Sequence, residues 1–222
     1  MGKEQIVVTL IDYMGNDDSI ASAARVSFGK NVDNYGKDQN TKLLKYLAKH
    51  KHMSPFGHVF LSFHIKAPIF VHAQLLKHKF LRANTISRRY VDSDVEFYQP
   101  DVWRGRSEDK KQGSSGVVKD YQSLWGFDNV GEDVNSHNQD SLNLYNWMIA
   151  KGTAPEMARM ILPQSLMTEW YWSGSLDAFT DMCSLRLKED TQYESRLVAE
   201  QVYRQMKDAF PVAAPLLVEG VL

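Results

Sequence analysis

From Val59 to Lys66 apolar and polar residues alternate: Leu61, Phe63 and Ile65 fall on one side, Ser62, His64 and Lys66 on the other. A period of two puts successive side chains on opposite faces of an extended chain, so this stretch predicts a half-buried strand. Ile6 to Ile11 predicts a second, short strand. Most of the remaining periodicity is helical, above all in the second half. The pattern predicts an α+β fold with a helix-rich second half, in a chain long enough for one generous domain or two small ones sharing a core.

The other elements follow from caps and stripes. Asn16, Asp17, Asp18 and Ser19 offer caps for an alanine-rich helix to about Val26. Asn31 to Gln39 is polar and predicts a loop. Asn40 or Thr41 then caps a helix carrying Leu43, Leu44 and Leu47, ending near His50. Pro68 opens a helix with Ile69, Ala73, Leu76 and Phe80 on one stripe, and Gln74 and His78 on another face beside Lys77. Asn84 to Tyr90 predicts a turn or short strand. Gly105 to Asn138 is rich in Gly, Ser, Asp, Asn and Lys and predicts a variable polar loop over about 105–138, with a mobile stretch from Lys110 to Gly116. Helix resumes at Ser141 through Leu142, Tyr145 and Ile149, stopping at Gly152. Thr153, Pro155 and Glu156 form a capping box for a helix that stops at Pro163. Ser175 starts another, carrying Leu176, Phe179, Cys183 and Leu187. The last runs from Thr191 to Phe210 with Leu197, Val198, Val202 and Met206 inward.

Several function classes are excluded early. With 26 basic and 27 acidic side chains the net charge is -1, which gives no reason to expect a nucleic-acid or membrane partner. No window approaches the ~20 apolar residues needed to span a bilayer. One cysteine excludes an internal disulfide framework and fits a reducing compartment, so a cytoplasmic location is expected, as is the lack of a signal peptide at Met1 to Leu10. Neither G-x-G-x-x-G nor a phosphate-binding P-loop is present. The histidines from His50 to His58 lack zinc-ligand spacing, so no metal is expected. Cys183 falls on an apolar helix stripe and reads as core rather than nucleophile.

The charge is unevenly distributed. Gln39 to Val91 contains no Asp or Glu, yet carries ten of the Lys and Arg residues and six of the seven histidines. Lys42 to Lys51 reads as the solvated side of a helix. Gln74 to Tyr90 is different: a helix ends in basic residues, and a polar turn then presents Asn84, Thr85, Ser87, Arg88 and Arg89. Hydroxyls, backbone N–H groups and guanidinium forks are what a phosphate monoester requires.

At these residues the chain resembles the flavin-dependent thymidylate synthases. Their motif R-H-R, two residues, S, one residue, N, two residues, S, one residue, R-Y is matched in spacing by Lys77-His78-Lys79, Arg82, Asn84, Ser87 and Arg89-Tyr90. Ala23 to Phe28, Ser54-Pro55-Phe56, Phe63 to Val71, Glu96 to Tyr98, Ala158 to Pro163 and Leu185-Arg186 also look like family sequence. The resemblance implies an α+β fold peculiar to the family, with a mixed sheet in a single domain over 1–222, and transfer of a methylene group from methylenetetrahydrofolate to C5 of dUMP. NADPH would reduce a bound FAD, which supplies the hydride. It further implies a homotetramer with active sites between subunits. By position, Gln74, Lys77, Thr85, Ile86, Ser87, Arg88, Arg89, Arg159 and Arg186 would bind dUMP. Arg186 would be catalytic, stabilising the N3-deprotonated uracil whose C5 is electron-rich. Ser54, Lys77, His78, Lys79, Thr85, Ser175, Asp181 and Asp190 would bind FAD.

The chain also departs from the pattern. K-H-K keeps the charge of R-H-R but loses its forks. Arg82 replaces a serine, Thr85 a glutamate, and Arg88 often a glycine. Gly57 stands where glutamate is usual, and Ser175, Asp177, Asp181 and Asp190 where Asn, Arg, Asn and His are common. These changes keep two alternatives open: C5 methylation or hydroxymethylation of another pyrimidine nucleotide, and a non-catalytic nucleotide-binding homologue.

Overall fold

The structure is a computed structural model, and it describes residues 5–29, 35–91, 93–107, 113–118 and 121–220. The expectations for residues 1–4, 31–34 and 110–112 lie outside those residues. Its centre is a four-stranded sheet in which every pairing is antiparallel, rather than the mixed sheet expected. The strands, in spatial order, are β1 (Val7–Met14), β2 (Phe60–Pro68), β6 (Met167–Ser175) and β3 (Leu81–Thr85). A small antiparallel hairpin, β4 (Arg104–Arg106) and β5 (Ser114–Val117), lies apart from it. The helices are α1 (Asp17–Val26), α2 (Lys37–Lys49), α3 (Ile69–Leu75), α4 (Val130–Ala150), α5 (Pro155–Ala158), α6 (Leu176–Arg186), α7 (Tyr193–Ala209) and α8 (Ala213–Val218).

Strand β2 follows its alternation: Leu61, Phe63 and Ile65 are buried, while Ser62, His64 and Lys66 lie on the wetter face. Strand β6 is not among the elements the periodicity predicts, yet it sits in the middle of the sheet between β2 and β3. Trp170 and Trp172 lie opposite Ile65 and Phe63, both fully buried. Each such aromatic contributes about 2–3 kcal/mol of burial. Phe179 on α6 packs edge-on against Phe63 at 5.0 Å and Trp172 at 5.5 Å, which seats that helix on the sheet. Cys183 lies in this core, and burial pushes its thiol well above the ordinary cysteine range.

Four other expectations change. The helix opened at Pro68 ends at Leu75 rather than reaching Phe80. Its buried residues are Val71 and Leu75, whereas Ala73, Leu76 and Phe80 are exposed. Phe80 takes a positive φ of 64°, which turns the chain into β3 so that Leu81 can pair with Gly174. A Cβ at Gly174 would stand 2.5 Å from Leu81 Cδ2, so this close crossing requires glycine. Helix α2 begins at Lys37, and Asn40 is a buried residue donating to Asp18 at 2.5 Å instead of a cap. The box at Thr153 to Glu156 does not form: Ala154 is the N-cap, and α5 gives way after one turn to a 3₁₀ turn, Arg159–Ile161. The polar stretch 105–138 is not one loop, because it holds the hairpin and the first turns of α4. Asn129 caps that helix, and buried Asp133 gathers Ser123 and the Leu124 N–H.

Candidate active site

The C-terminal ends of α3 and α6 and the start of α7 meet beside the hairpin and leave a cleft of about 740 Å³. Gln74, Lys77, Arg186 and Asp190 line it among the residues proposed from sequence. Phe70, Tyr98, Trp103 and Leu185 give it an apolar wall. Lys77, Arg186 and Lys188 make its cationic side. An aromatic wall facing cations suits a planar, anionic guest.

Arg186, the last residue of α6, is held along one edge. Its Nε donates to His78 Nε2 at 2.9 Å and its Nη2 to the Gln74 carbonyl at 3.4 Å. A guanidinium nitrogen only donates, so His78 Nε2 must be the acceptor and the ring proton sits on Nδ1. Burial, together with the Arg186 charge, pulls the His78 pKa down to about 4, so the ring is neutral near pH 7. Burial also pulls Arg186 below the ordinary arginine value. Gln74 is fixed in turn by the buried Ser195, whose hydroxyl donates to its Oε1. These contacts bring together Gln74, proposed for the substrate, His78, proposed for the flavin, and Arg186, proposed as catalytic.

On the opposite wall stand Arg104 and Glu194, which are not among the residues proposed from sequence. Glu194 is only 3% exposed and accepts from Arg104 Nη2 at 2.5 Å and from the Tyr98 hydroxyl at 3.3 Å. Arg104 also donates to Ser114 Oγ at 2.9 Å, which ties both hairpin strands to α7. Burial and Glu194 push the Tyr98 phenol well above the usual tyrosine range. Tyr98 falls in the family-like stretch Glu96 to Tyr98, but for Arg104 and Glu194 the sequence offers only an arginine in a Gly- and Ser-rich stretch and a glutamate in a helix's first turn.

The other proposed residues lie elsewhere. Thr85 ends β3 and shares a 2.9 Å hydrogen bond with His72, whose pKa burial lowers. Ser87 Oγ accepts from the Arg89 backbone N–H at 3.3 Å and from its Nε at 3.4 Å. Arg88 turns back on its own loop, donating to the carbonyls of Val91 (3.4 Å), Ser93 (2.6 Å) and Asp94 (3.4 Å). Ile86 and Arg88 line a separate hollow of about 180 Å³. Arg159 is exposed on the 3₁₀ turn after α5, and Ser54 and Lys79 are exposed on turns. Ser175 donates to Asp177, and burial with the Asp177 charge raises the Asp181 pKa. A Cβ on Gly57 would lie 3.8 Å from both Asp177 carboxylate oxygens, so two of the departures are spatial neighbours. Among the described residues no group of three or more His, Cys, Asp or Glu could hold a metal ion, and no helix is long and apolar enough to cross a membrane.

Residues 9–212 match the family model described as thymidylate synthase complementing protein. A flavin-dependent thymidylate synthase of Thermus thermophilus is 37% identical over 215 residues, which is 97% of this chain and 76% of that one. One from Kosmotoga olearia is 35% identical over 209 residues, 94% of this chain and 88% of that one. The UMP/dUMP methylase PolB from Streptomyces cacaoi, solved with 5-Br dUMP, superposes with a TM-score of 0.85 at 27% identity, covering 97% of this chain and 95% of that one. The same enzyme with 5-Br UMP gives a TM-score of 0.81 at 26% identity.

Proposed function

Because the chain belongs to the flavin-dependent thymidylate synthase family, we propose that it methylates C5 of dUMP to give dTMP. Methylenetetrahydrofolate would be the carbon donor, and NADPH the reductant of a bound FAD. The observation that supports this most is the convergence of Gln74, Lys77 and Arg186 on one cleft with an aromatic wall.

The residues' parts follow from their chemistry. Gln74 and Lys77 meet the nucleotide. Arg186 faces the pyrimidine with a permanent positive charge, which favours the N3-deprotonated ring and enriches C5 as a nucleophile. No cysteine is needed to activate C5, in keeping with the burial of Cys183. The donor set fits a phosphate-bearing flavin near Lys77, an exposed cation that lines the cleft, whereas Lys79 is exposed outside that lining. Asp177 and Asp181 do not suit phosphate, and Asp177 takes its hydrogen bond from Ser175. When bound, the reduced flavin supplies the hydride that completes the methyl group.

The proposed assembly is a homotetramer with active sites between subunits. Its support is that Gln74, Lys77 and Arg186 share the cleft, whereas Thr85 to Arg89 and Arg159 lie outside it. In an assembly of this kind a second copy would bring the Ser87–Arg89 turn to the nucleotide phosphate.

The test is a visible spectrum of the purified protein with added FAD, followed by incubation with dUMP, methylenetetrahydrofolate and NADPH. A bound-flavin spectrum and dTMP formation, both with Arg186→Ala devoid of turnover, are the expected results. No flavin uptake and no product would overturn the reading. UMP belongs in the same assay, because PolB is named for both nucleotides.

A further inference from the structure

We infer that His78 is a positioning residue for Arg186: its neutral ring anchors the guanidinium through Nε and so aims the opposite edge at the pyrimidine. This rests on the proposed role of Arg186 in stabilising the ionised uracil. A guanidinium has two edges that can bind a guest in parallel, one formed by Nε and Nη2 and one by Nη1 and Nη2. In this structure the first edge is taken by His78 Nε2 and the Gln74 carbonyl. The second is the one left for the cleft that Arg186 lines.

The nature of the anchor matters as much as its place. Among the described residues no carboxylate pairs with Arg186, although Arg104 and Arg196 each have one. A carboxylate at position 78 would hold the guanidinium equally well but would neutralise much of its field at the substrate. A neutral imidazole accepts the hydrogen bond and leaves the charge uncompensated. The ring can stay neutral because it is half-buried and faces a cation. His78 sits in the turn that follows α3, within reach of Arg186 Nε at 2.9 Å. A lysine or arginine there would have nothing to accept with. The chemistry therefore asks for a neutral acceptor at the centre of Lys77-His78-Lys79, which histidine supplies, beyond any contribution of the flanking cations to phosphate.

The test reads the ionisation of a bound pyrimidine directly. 5-Fluoro-dUMP changes its ultraviolet spectrum when N3 loses its proton, so the apparent N3 pKa can be titrated on the FAD-loaded protein by difference spectroscopy. In the wild type it should lie below that of the free nucleotide, and in Arg186→Ala it should return to the free value. His78→Leu, which fills similar space without an acceptor, should recover most of that return, by about one unit, a tenfold change in the ionisation equilibrium. His78→Gln, whose amide oxygen can accept from Nε, should stay near the wild type. Turnover should follow, with kcat of His78→Leu down about a hundredfold, the scale of an ångström of misplacement, and KM for dUMP little changed. A His78→Leu titration that overlays the wild type overturns the inference, whatever happens to flavin binding or turnover. If Arg186→Ala also overlays the wild type, the failure belongs to the proposed role of Arg186.

Discussion

Arg104 Nη2 lies 2.5 Å from Glu194 Oε1, joining the β4–β5 hairpin to the first turn of α7 at the edge of the cleft. Glu194 has 4% side-chain exposure and Arg104 26%, so the pair is shielded from solvent on the acid's side. A carboxylate buried this far depends on its cation. The pair therefore shapes the cleft as well as holding the hairpin.

Arg104→Gln should strand the Glu194 charge and cost about 3 kcal/mol, a fall in Tm of roughly 6–12 °C for a chain of this size. Adding Glu194→Gln to it should recover part of the loss, since neither charge then remains. Thermal melts of the single and double variants test this. An Arg104→Gln melt within a degree of the wild type would show that water, not Arg104, serves the carboxylate.

The pH dependence of stability should carry the mark of His78. Its folded pKa is about 4 against an ordinary value of 6.5, so the unfolded chain takes up a proton that the folded chain refuses. The sign follows: this contribution is complete above pH 6.5 and is lost as the pH falls towards 4. Urea midpoints at pH 7 and 4.5 should therefore diverge more for the wild type than for His78→Gln. Equal divergence would mean that the ring titrates normally in the folded protein.

Phe179→Ala removes the side chain that meets both Phe63 and Trp172 at the sheet–α6 contact. The cavity should cost about 3–5 kcal/mol, read from the denaturant midpoint. Because α6 ends at Arg186, turnover in the still-folded fraction should fall as well. A midpoint close to the wild type would show that the helix resettles onto the sheet.

Gly57→Glu would bring a carboxylate towards Asp177, whose oxygens stand 3.8 Å from the new Cβ position. That single change should destabilise the protein. Combined with Asp177→Arg it should not, giving a coupling in a double-mutant cycle of about 1 kcal/mol or more. Additive effects would mean that the two departures from the family pattern are independent.

What the sequence determined by itself is local. The alternation from Val59 to Lys66 specified β2 and its buried face, because a strand's period is a property of consecutive residues. Asn16 specified the start of α1, since a cap acts within one turn, and here Asn16 and Ser19 do satisfy each other's backbone N–H groups. Lys77 to Tyr90 carried the family likeness, and Cys183 its burial, in residue type and spacing alone. Strand β6 was also within reach: Trp170 and Trp172 alternate with Glu169, Tyr171 and Ser173, but the run is short and mixed, and only pairing on both sides makes it the centre of the sheet. Tertiary structure decided the rest. Helix propensity would carry α3 to Phe80, yet the chain must turn early for Leu81 to reach Gly174. Nothing near Arg186 in sequence announces His78, 108 residues away, nor does Arg104 announce Glu194, 90 residues away. Those contacts arise when the sheet and its helices bury their apolar faces together, and their energy exists only in the assembled fold.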